Sequence, residues 1–122
     1  MLWNLKESSI KVGDSSIDYA VFGRGEAPFV ILPGLSLRDV KGAGPGLALM
    51  YRSFAKDFRV YVFDKKADIA PGTTIADLAR DTAQAMISLG IRDACLLGVS
   101  LGGMIAQEIA AAFLLIAQKS KL

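Results

Sequence analysis

The chain has 122 residues, 52% hydrophobic and 21% charged, a composition that supports one small folded domain and excludes intrinsic disorder. Its net charge of +2, without a cluster of lysine or arginine, argues against nucleic acid as a partner. The chain contains no histidine and one cysteine, Cys95, which excludes a disulfide framework and a metal centre built from these residues. We therefore expect no metal and no other cofactor.

Sequence features at the two ends of the chain indicate the cellular compartment of the protein. The N-terminal stretch lacks the basic and apolar regions of a signal peptide, and no apolar run is long enough to span a bilayer. These features predict a cytoplasmic protein with no membrane partner. The final tripeptide, Ser120-Lys121-Leu122, matches the peroxisomal address, so a eukaryotic source makes a peroxisomal location the alternative.

Strands come first along the chain. Residues 8–11 and 17–22 form a predicted antiparallel hairpin at a sheet edge, with the turn GDSS at 13–16 between them. Short apolar runs then predict buried strands at 28–34, 59–64 and 94–99.

Predicted helices separate these strands. The first covers about residues 47–56, and the second begins at Ile75 after a Thr74–Asp77 capping box and stops at Gly90. A third begins at Ser100 or Leu101 and continues in helical style toward Gln118. The alternation predicts an α/β fold whose sheet is mostly parallel, with helices on both faces.

One motif carries the chemistry. The stretch LLGVSLGG contains Gly98-Val99-Ser100-Leu101-Gly102, a G-x-S-x-G pattern between a predicted strand and a predicted helix. A serine on such a turn projects above the sheet, and glycines on either side let strand and helix approach closely. The following helix points its N–H groups at developing negative charge. The pattern is typical of a nucleophilic serine.

With its flanks, this motif resembles the nucleophile elbow of the α/β-hydrolase fold, in the branch of esterases and proline-iminopeptidase-like enzymes. The similarity covers about residues 8–112, the N-terminal half of that fold, through the stretches FVILPGLS, VYVFDKK and TIADLARDTAQAMISLGI. The resemblance implies that Ser100 is the nucleophile. It also implies an oxyanion hole made by the backbone N–H groups of Leu35 and Leu101, with Gly98 and Gly102 as the elbow glycines.

The other members of a catalytic triad are absent from the sequence. The fold places an acid and then a histidine after the serine, but this chain has no histidine, and Glu108 is its only acid after Ser100. Glu108 lies on the helix that starts at the serine and leads away from the site. Asp64 is expected to cap a loop, and Lys65 and Lys66 to be solvated.

The last residues suggest a truncated domain. We divide residues 1–122 into a hydrolase-like half, 1–112, and a helical tail, 113–122. The tail resembles a final hydrolase helix joined on by an internal deletion, and the alternative is an extended helix with a polar end. Truncation would leave the strand at 94–99 at a sheet edge, where it tends to pair with another chain. We therefore expect a homo-oligomer or a complementing chain.

Two functions remain open. By ancestry the chain is a serine hydrolase of small ester or amide substrates, with an incomplete triad, and it is expected to be inactive alone because a serine without a base is a weak nucleophile. The alternative is an inactive hydrolase remnant that serves as an oligomeric or structural module.

Overall fold

The structure is a computed structural model that describes residues 3–33, 39–66, 69–112 and 117–121. Strands and helices alternate along this part of the chain. Their bounds are β1 Lys6–Val12, β2 Ser15–Phe22, β3 Pro28–Leu32, α1 Gly44–Met50, α2 Arg52–Ala55, β4 Arg59–Lys66, α3 Ile75–Ser88, β5 Ala94–Gly98, α4 Leu101–Ala112 and β6 Ala117–Lys121.

The described strands form one mixed sheet in the order β1-β2-β4-β3-β5-β6. The pairs β1·β2 and β2·β4 are antiparallel, whereas β3·β4, β3·β5 and β5·β6 are parallel. The predicted N-terminal hairpin at a sheet edge is therefore confirmed. Its turn contains Gly13 with φ +60°, a value that glycine adopts without steric cost.

Two hydrophobic cores lie on opposite faces of the sheet. Side chains alternate along each strand, so Val30 and Leu32 of β3 face one core and Phe29 and Ile31 face the other. Helices α3 and α4 cover the first face, and α1 and α2 cover the second. This arrangement confirms an α/β fold with helices on both faces of the sheet.

Helix α3 follows the predicted boundaries closely. The Thr74 hydroxyl accepts a hydrogen bond from Asp77 N, and the Asp77 carboxylate accepts one from Thr74 N, each at 3.0 Å. At the other end Gly90 takes φ +73°, and Ile91 N donates to Met86 O. The capping box and the glycine stop are both confirmed.

The first predicted helix differs in detail. Instead of one helix over 47–56, the chain forms α1 and α2, which are separated at Tyr51, where φ is −105° and ψ is 22°. Helix α1 also starts earlier than predicted. Pro45 stands in its first turn, where a missing N–H costs no hydrogen bond. Residues 44–46, the end of the glycine-rich stretch KGAGPG, therefore lie in α1.

The predicted helical tail is wrong for residues 117–121. Helix α4 ends at Ala112, and β6 pairs in parallel with β5, with Leu96 beside Ser120 and Leu97 beside Lys121. The short apolar run before Gln118 fits strand and helix patterns equally, and pairing with the open edge of β5 decides between them. Residues 117–121 therefore form a strand rather than a helix.

Strand β5 is consequently not at the sheet edge. It lies between β3 and β6, so the expected exposed edge at 94–99 was wrong, and β6 occupies the edge instead. No helix in the described part of the chain has the length and apolar character needed to cross a membrane.

Candidate active site

The turn between β5 and α4 presents Ser100 at the carboxyl end of the parallel strands. Ser100 is solvent-exposed and takes φ +56°, in the left-handed region that a residue with a side chain seldom adopts. Val99 N donates to Leu32 O at 3.0 Å, which ties this turn to the end of β3. The strained backbone thus holds the serine on a sharp turn, as the G-x-S-x-G pattern predicts.

Close backbone packing explains the first glycine of the motif. A Cβ atom at Gly98 would overlap the carbonyl oxygen of Gly102 and lie 2.5 Å from the Cα atom of Gly103. Gly102 and Gly103 are themselves buried. The strand and the first turn of α4 can therefore approach this closely only because Gly98 carries no side chain.

Helix α4 begins directly after the serine. Gly102 N donates to Val99 O and Gly103 N donates to Ser100 O, both at 2.9 Å, so the chain turns into the helix within one residue. The first N–H groups of a helix have no partner within the helix, and its dipole places partial positive charge at this end. The Leu101 N–H therefore lies at the N-terminus of α4, directly after Ser100.

The end of β3 lies next to this turn. Leu32 of β3 pairs with Gly98 of β5, and Pro33 lines a small cavity of about 20 Å³ together with Leu101 and Gly102. The chain leaving β3 thus begins against the first turn of α4. Leu35, the second predicted oxyanion donor, lies outside the described residues.

No family model matches the sequence. The sequence is 34% identical over 95 residues to a Cronobacter sakazakii protein described as the carbamate hydrolase RutD, covering 72% of this chain and 35% of that protein. The chain therefore spans about a third of the length of this relative.

Solved structures show the same fold. An α/β-hydrolase fold protein from Chitinophaga pinensis matches 98% of this chain with a TM-score of 0.73 at 21% identity, over 44% of its own length. E-2-(acetamidomethylene)succinate hydrolase matches 96% with a TM-score of 0.78 at 20% identity, over 43% of its length. The chain therefore has the α/β-hydrolase fold. It holds the N-terminal part of that fold, which confirms the resemblance in the sequence.

Within this hydrolase fold, an open groove lies beside the serine. Its volume is about 340 Å³, and it runs along the exposed side of α4. The side chains of Val99 and Met104 are 44% and 57% exposed there, which makes the groove largely apolar. The lining residues are Gly98, Val99, Ser100, Gly103, Met104 and Gln107.

Asp64 at the end of β4 caps a loop, as predicted. Its Oδ2 accepts a hydrogen bond from Val40 N at 3.0 Å, and its Oδ1 accepts one from Lys65 N at 2.8 Å. The Lys65 ammonium lies 3.3 Å from the same Oδ1, so the expectation that Lys65 is simply solvated was wrong. The lysine side chain is 30% exposed and pairs with the carboxylate that its own backbone also binds. The Lys66 side chain lies outside the described residues.

Glu108 lies on α4, far from Ser100 along the helix. It is exposed on α4, eight residues beyond Ser100, a rise of about 12 Å at helical spacing. In the described part of the chain, no three His, Cys, Asp or Glu side chains lie together as metal ligands would. The structure therefore brings Ser100, Leu101 and the end of β3 together, and it leaves Glu108 apart.

Glu7, an acid on β1 that no sequence pattern marks as a site residue, reaches the segment before α1. Its Oε1 accepts a hydrogen bond from Gly42 N and its Oε2 one from Gly44 N, both at 2.8 Å. These bonds, from Gly42 first and Gly44 second, hold the pKa of Glu7 below its ordinary value of 4.5, and Lys41 lowers it further. No local pattern could have revealed the contact, because the partners lie 35 and 37 residues apart.

Proposed function

We propose that Ser100 is the nucleophile of a serine hydrolase that cleaves small ester or amide substrates. The observation that carries the proposal is the strained φ of +56° at an exposed serine directly before a helix N-terminus. Backbone strain of this kind is retained where it displays a reacting group. The hydrolase described for the similar Cronobacter protein supports the same reaction class, and a carbamate carbonyl would be attacked in the same way.

In the proposed reaction, the Ser100 Oγ attacks the substrate carbonyl carbon while its proton passes to a base. A carbon–oxygen bond forms, and the carbonyl oxygen becomes an oxyanion that accepts hydrogen bonds from the Leu101 and Leu35 N–H groups. The intermediate then expels the alcohol or amine, which takes up the proton. Water releases the acyl group from Ser100 by the same steps.

The base for this reaction must come from outside these 122 residues. The chain contains no histidine. Asp64 is already bound to Val40 N and to Lys65, and Glu108 lies about two helical turns away. Without a base the hydroxyl stays protonated and weakly nucleophilic. The groove beside Ser100, at about 340 Å³, is large enough to admit a free imidazole molecule.

A fluorophosphonate probe tests this proposal, with imidazole added as the missing base. The Ser100 Oγ would form a bond to phosphorus, fluoride would leave, and the proton would pass to imidazole. We expect intact-mass spectrometry to show labelling that rises with imidazole and is lost in Ser100→Ala. Ser53→Ala, which removes an exposed hydroxyl on α2, serves as the matched control and should label like the wild type. Failure to label at any imidazole concentration, or labelling that persists in Ser100→Ala, would refute the proposal.

A second candidate is a non-catalytic module. The absence of histidine from the sequence favours it, because nothing in these residues activates the serine. In that case β6, which pairs only with β5 among the described strands, offers its outer edge to another chain. We propose that a second copy or a complementing chain binds there. Sedimentation velocity should then show a dimer or larger species, and a monomer at micromolar concentration would exclude self-association through this edge.

A further inference from the structure

The groove beside Ser100 follows one side of helix α4. Its lining residues on the helix stand three, four and seven positions beyond Ser100, at Gly103, Met104 and Gln107. This spacing places residues on the same side of a helix. At a rise of about 1.5 Å per residue, Gln107 lies about 10 Å from Ser100 along the helix. The groove therefore begins at the proposed nucleophile and extends about 10 Å away from it.

The surfaces that bound the groove are mostly apolar. Gly103 is buried and carries no side chain, so the helix surface is low between Ser100 and Gln107. The exposed side chains of Val99 and Met104 line the space beside it. Methionine is unbranched and polarizable, so its side chain adapts to the shape of an apolar ligand. None of the described lining residues carries a charge, and a charged group that entered the groove would lose water without gaining an ionic partner. The groove therefore favours an uncharged, apolar occupant.

The dimensions of the groove limit the size of this occupant. Its volume of about 340 Å³ lies near the lower end of the range for small-ligand sites, about 300–1,000 Å³. An extended chain of atoms advances about 1.2 Å per bond, so about 10 Å corresponds to about eight bonds. Beyond that length an apolar chain would meet Gln107, whose exposed amide carries both hydrogen-bond donors and an acceptor. The groove therefore fits a chain of about six to eight carbons.

We propose that this groove is the acyl-binding site of the Ser100 hydrolase, and that its substrates carry unbranched, uncharged acyl chains of about six to eight carbons. Met104 sets the affinity for the chain, and Gln107 sets its length. The acyl group is assigned to the groove because it stays bonded to the Ser100 Oγ through both halves of the reaction, whereas the alcohol or amine must leave after the first. This inference rests on the proposed function of Ser100 and adds the class of substrate to it.

A series of methyl alkylphosphonofluoridates measures the chain preference. The alkyl group on phosphorus takes the place of the acyl chain. The Ser100 Oγ forms a bond to phosphorus, fluoride leaves, and the proton passes to imidazole, which is held at a fixed concentration. We expect KI to fall roughly twofold for each added carbon from methyl to octyl, because an open groove removes only part of each methylene from water. From octyl to dodecyl KI should stay level. The rate constant kinact should change little along the series, because the chain binds before phosphorus reacts.

Two exposed methionines provide the matched variants. Met104→Gln places a polar side chain of similar length in the groove, and Met50→Gln makes the same change on α1, where Met50 is 69% exposed. We expect KI of the octyl probe to rise on the order of tenfold in Met104→Gln, while KI of the methyl probe stays within about twofold. Met50→Gln should match the wild type with both probes. Gln107→Leu lengthens the apolar wall, so this variant should bind the dodecyl probe more tightly than the octyl probe.

An isomeric pair of probes separates the acyl chain from the other substituents of the reacting centre. One isomer carries octyl on phosphorus and a methoxy group, and the other carries methyl on phosphorus and an octyloxy group. Tighter binding of the octyloxy isomer would overturn the acyl assignment. Labelling of Ser100 that is independent of chain length, or that depends on it equally in Met104→Gln, would also overturn the substrate class while leaving Ser100 as the nucleophile.

Failure of the proposed function has a different signature. In that case no probe of any chain length labels the wild type, and the substrate class fails with the nucleophile. Because Met104 is exposed, Met104→Gln should keep the fold, which far-UV circular dichroism checks. Should it not fold, the chain-length series of the wild type and of Gln107→Leu decides the proposal, and a KI that does not level off at octyl in the wild type would contradict it.

Discussion

The serine turn at residues 98–103 and the segment at residues 40–44 are held in place by different means. Two carboxylates hold the second segment, Glu7 through the N–H groups of Gly42 and Gly44 and Asp64 through the N–H of Val40, and we call these five residues the carboxylate clamp. Residues 98–103 supply the turn themselves, through glycines that permit close approach and a backbone strain confined to Ser100. The clamp depends on side chains that are 24 to 37 residues away from the N–H groups they hold. Local sterics therefore determine the position of Ser100, whereas long-range hydrogen bonds hold residues 40–44.

The largest effect is expected at the serine turn. Gly98→Ala places a methyl group against the backbone of Gly102 and Gly103, which cannot move without shifting α4. We expect the free energy of unfolding to fall by about 3 kcal/mol, measured by urea denaturation. The control is Gly46→Ala in α1, where a Cβ meets nothing within 4 Å. That change should raise stability by about 0.5–1 kcal/mol because alanine favours a helix. Equal effects at both glycines would contradict the steric explanation.

The next largest effect is expected at Asp64, the less exposed of the two carboxylates of the clamp. Asp64→Asn replaces the carboxylate that Val40 N, Lys65 N and the Lys65 ammonium share, and the side chain is only 11% exposed. Because hydrogen bonds to a charged group are stronger than neutral ones, we expect a loss of about 2 kcal/mol in chemical denaturation. Asp14→Asn, in the exposed turn after β1, is the matched control and should change stability by less than about 0.5 kcal/mol. Equal losses in Asp64→Asn and Asp14→Asn would mean that the hydrogen bonds of Asp64 do not stabilise the folded chain.

A smaller effect of opposite sign is expected at Ser100. Glycine adopts a φ of +56° without the steric cost that a Cβ imposes, so Ser100→Gly should raise the free energy of unfolding by about 1 kcal/mol. Ser100→Ala keeps the Cβ and should leave stability nearly unchanged. Ser53→Gly, in helix α2, should instead lower stability by about 0.5 kcal/mol. Destabilisation by Ser100→Gly would show that the turn holds no strain.

The smallest effect is the pH dependence of the exposed half of the clamp. The pKa of Glu7 is lower in the folded chain than its ordinary value of 4.5. The ionised Glu7 therefore stabilises the fold fully above pH 4.5, and this stabilisation is lost as the pH falls through the pKa of the folded chain. Lys41 is the charged neighbour that adds to this effect. We expect the stability difference between wild type and Glu7→Gln to shrink from about pH 7 to about pH 3 in thermal or urea unfolding.

Asp77 provides the comparison for this titration. The pKa of Asp77 is lowered first by the hydrogen bond from the Thr74 backbone, then by the bond from the Thr74 side chain, and then by Arg80. The stability difference between wild type and Asp77→Asn should therefore shrink as the pH falls below 3.8. The stability difference between wild type and Glu7→Gln should therefore begin to shrink at a higher pH than the difference between wild type and Asp77→Asn. A difference for Glu7 that is independent of pH would mean that its carboxylate does not hold Gly42 and Gly44 in solution.

The sequence predicted correctly those helices and turns whose boundaries are set by residues next to them in the chain. The capping box at Thr74 and the stop at Gly90 define α3, and the G-x-S-x-G stretch defines the serine turn. The tail was wrong because a short apolar run fits helix and strand equally, and only the neighbouring edge of β5 selects the strand β6. Helix α1 began earlier than predicted because Pro45 stands in its first turn, where proline is tolerated.

The sequence by itself determined the α/β alternation, the sharp turn at Ser100 and the absence of histidine. These follow from residue types and spacings within one turn or one strand, where backbone sterics act directly. Only the tertiary structure decided that β6 covers β5, that Asp64 holds Val40 and that Glu7 occupies the glycine segment before α1. Each of these depends on strand order, because the sheet brings residues distant in sequence within hydrogen-bonding distance, and no local pattern records that approach.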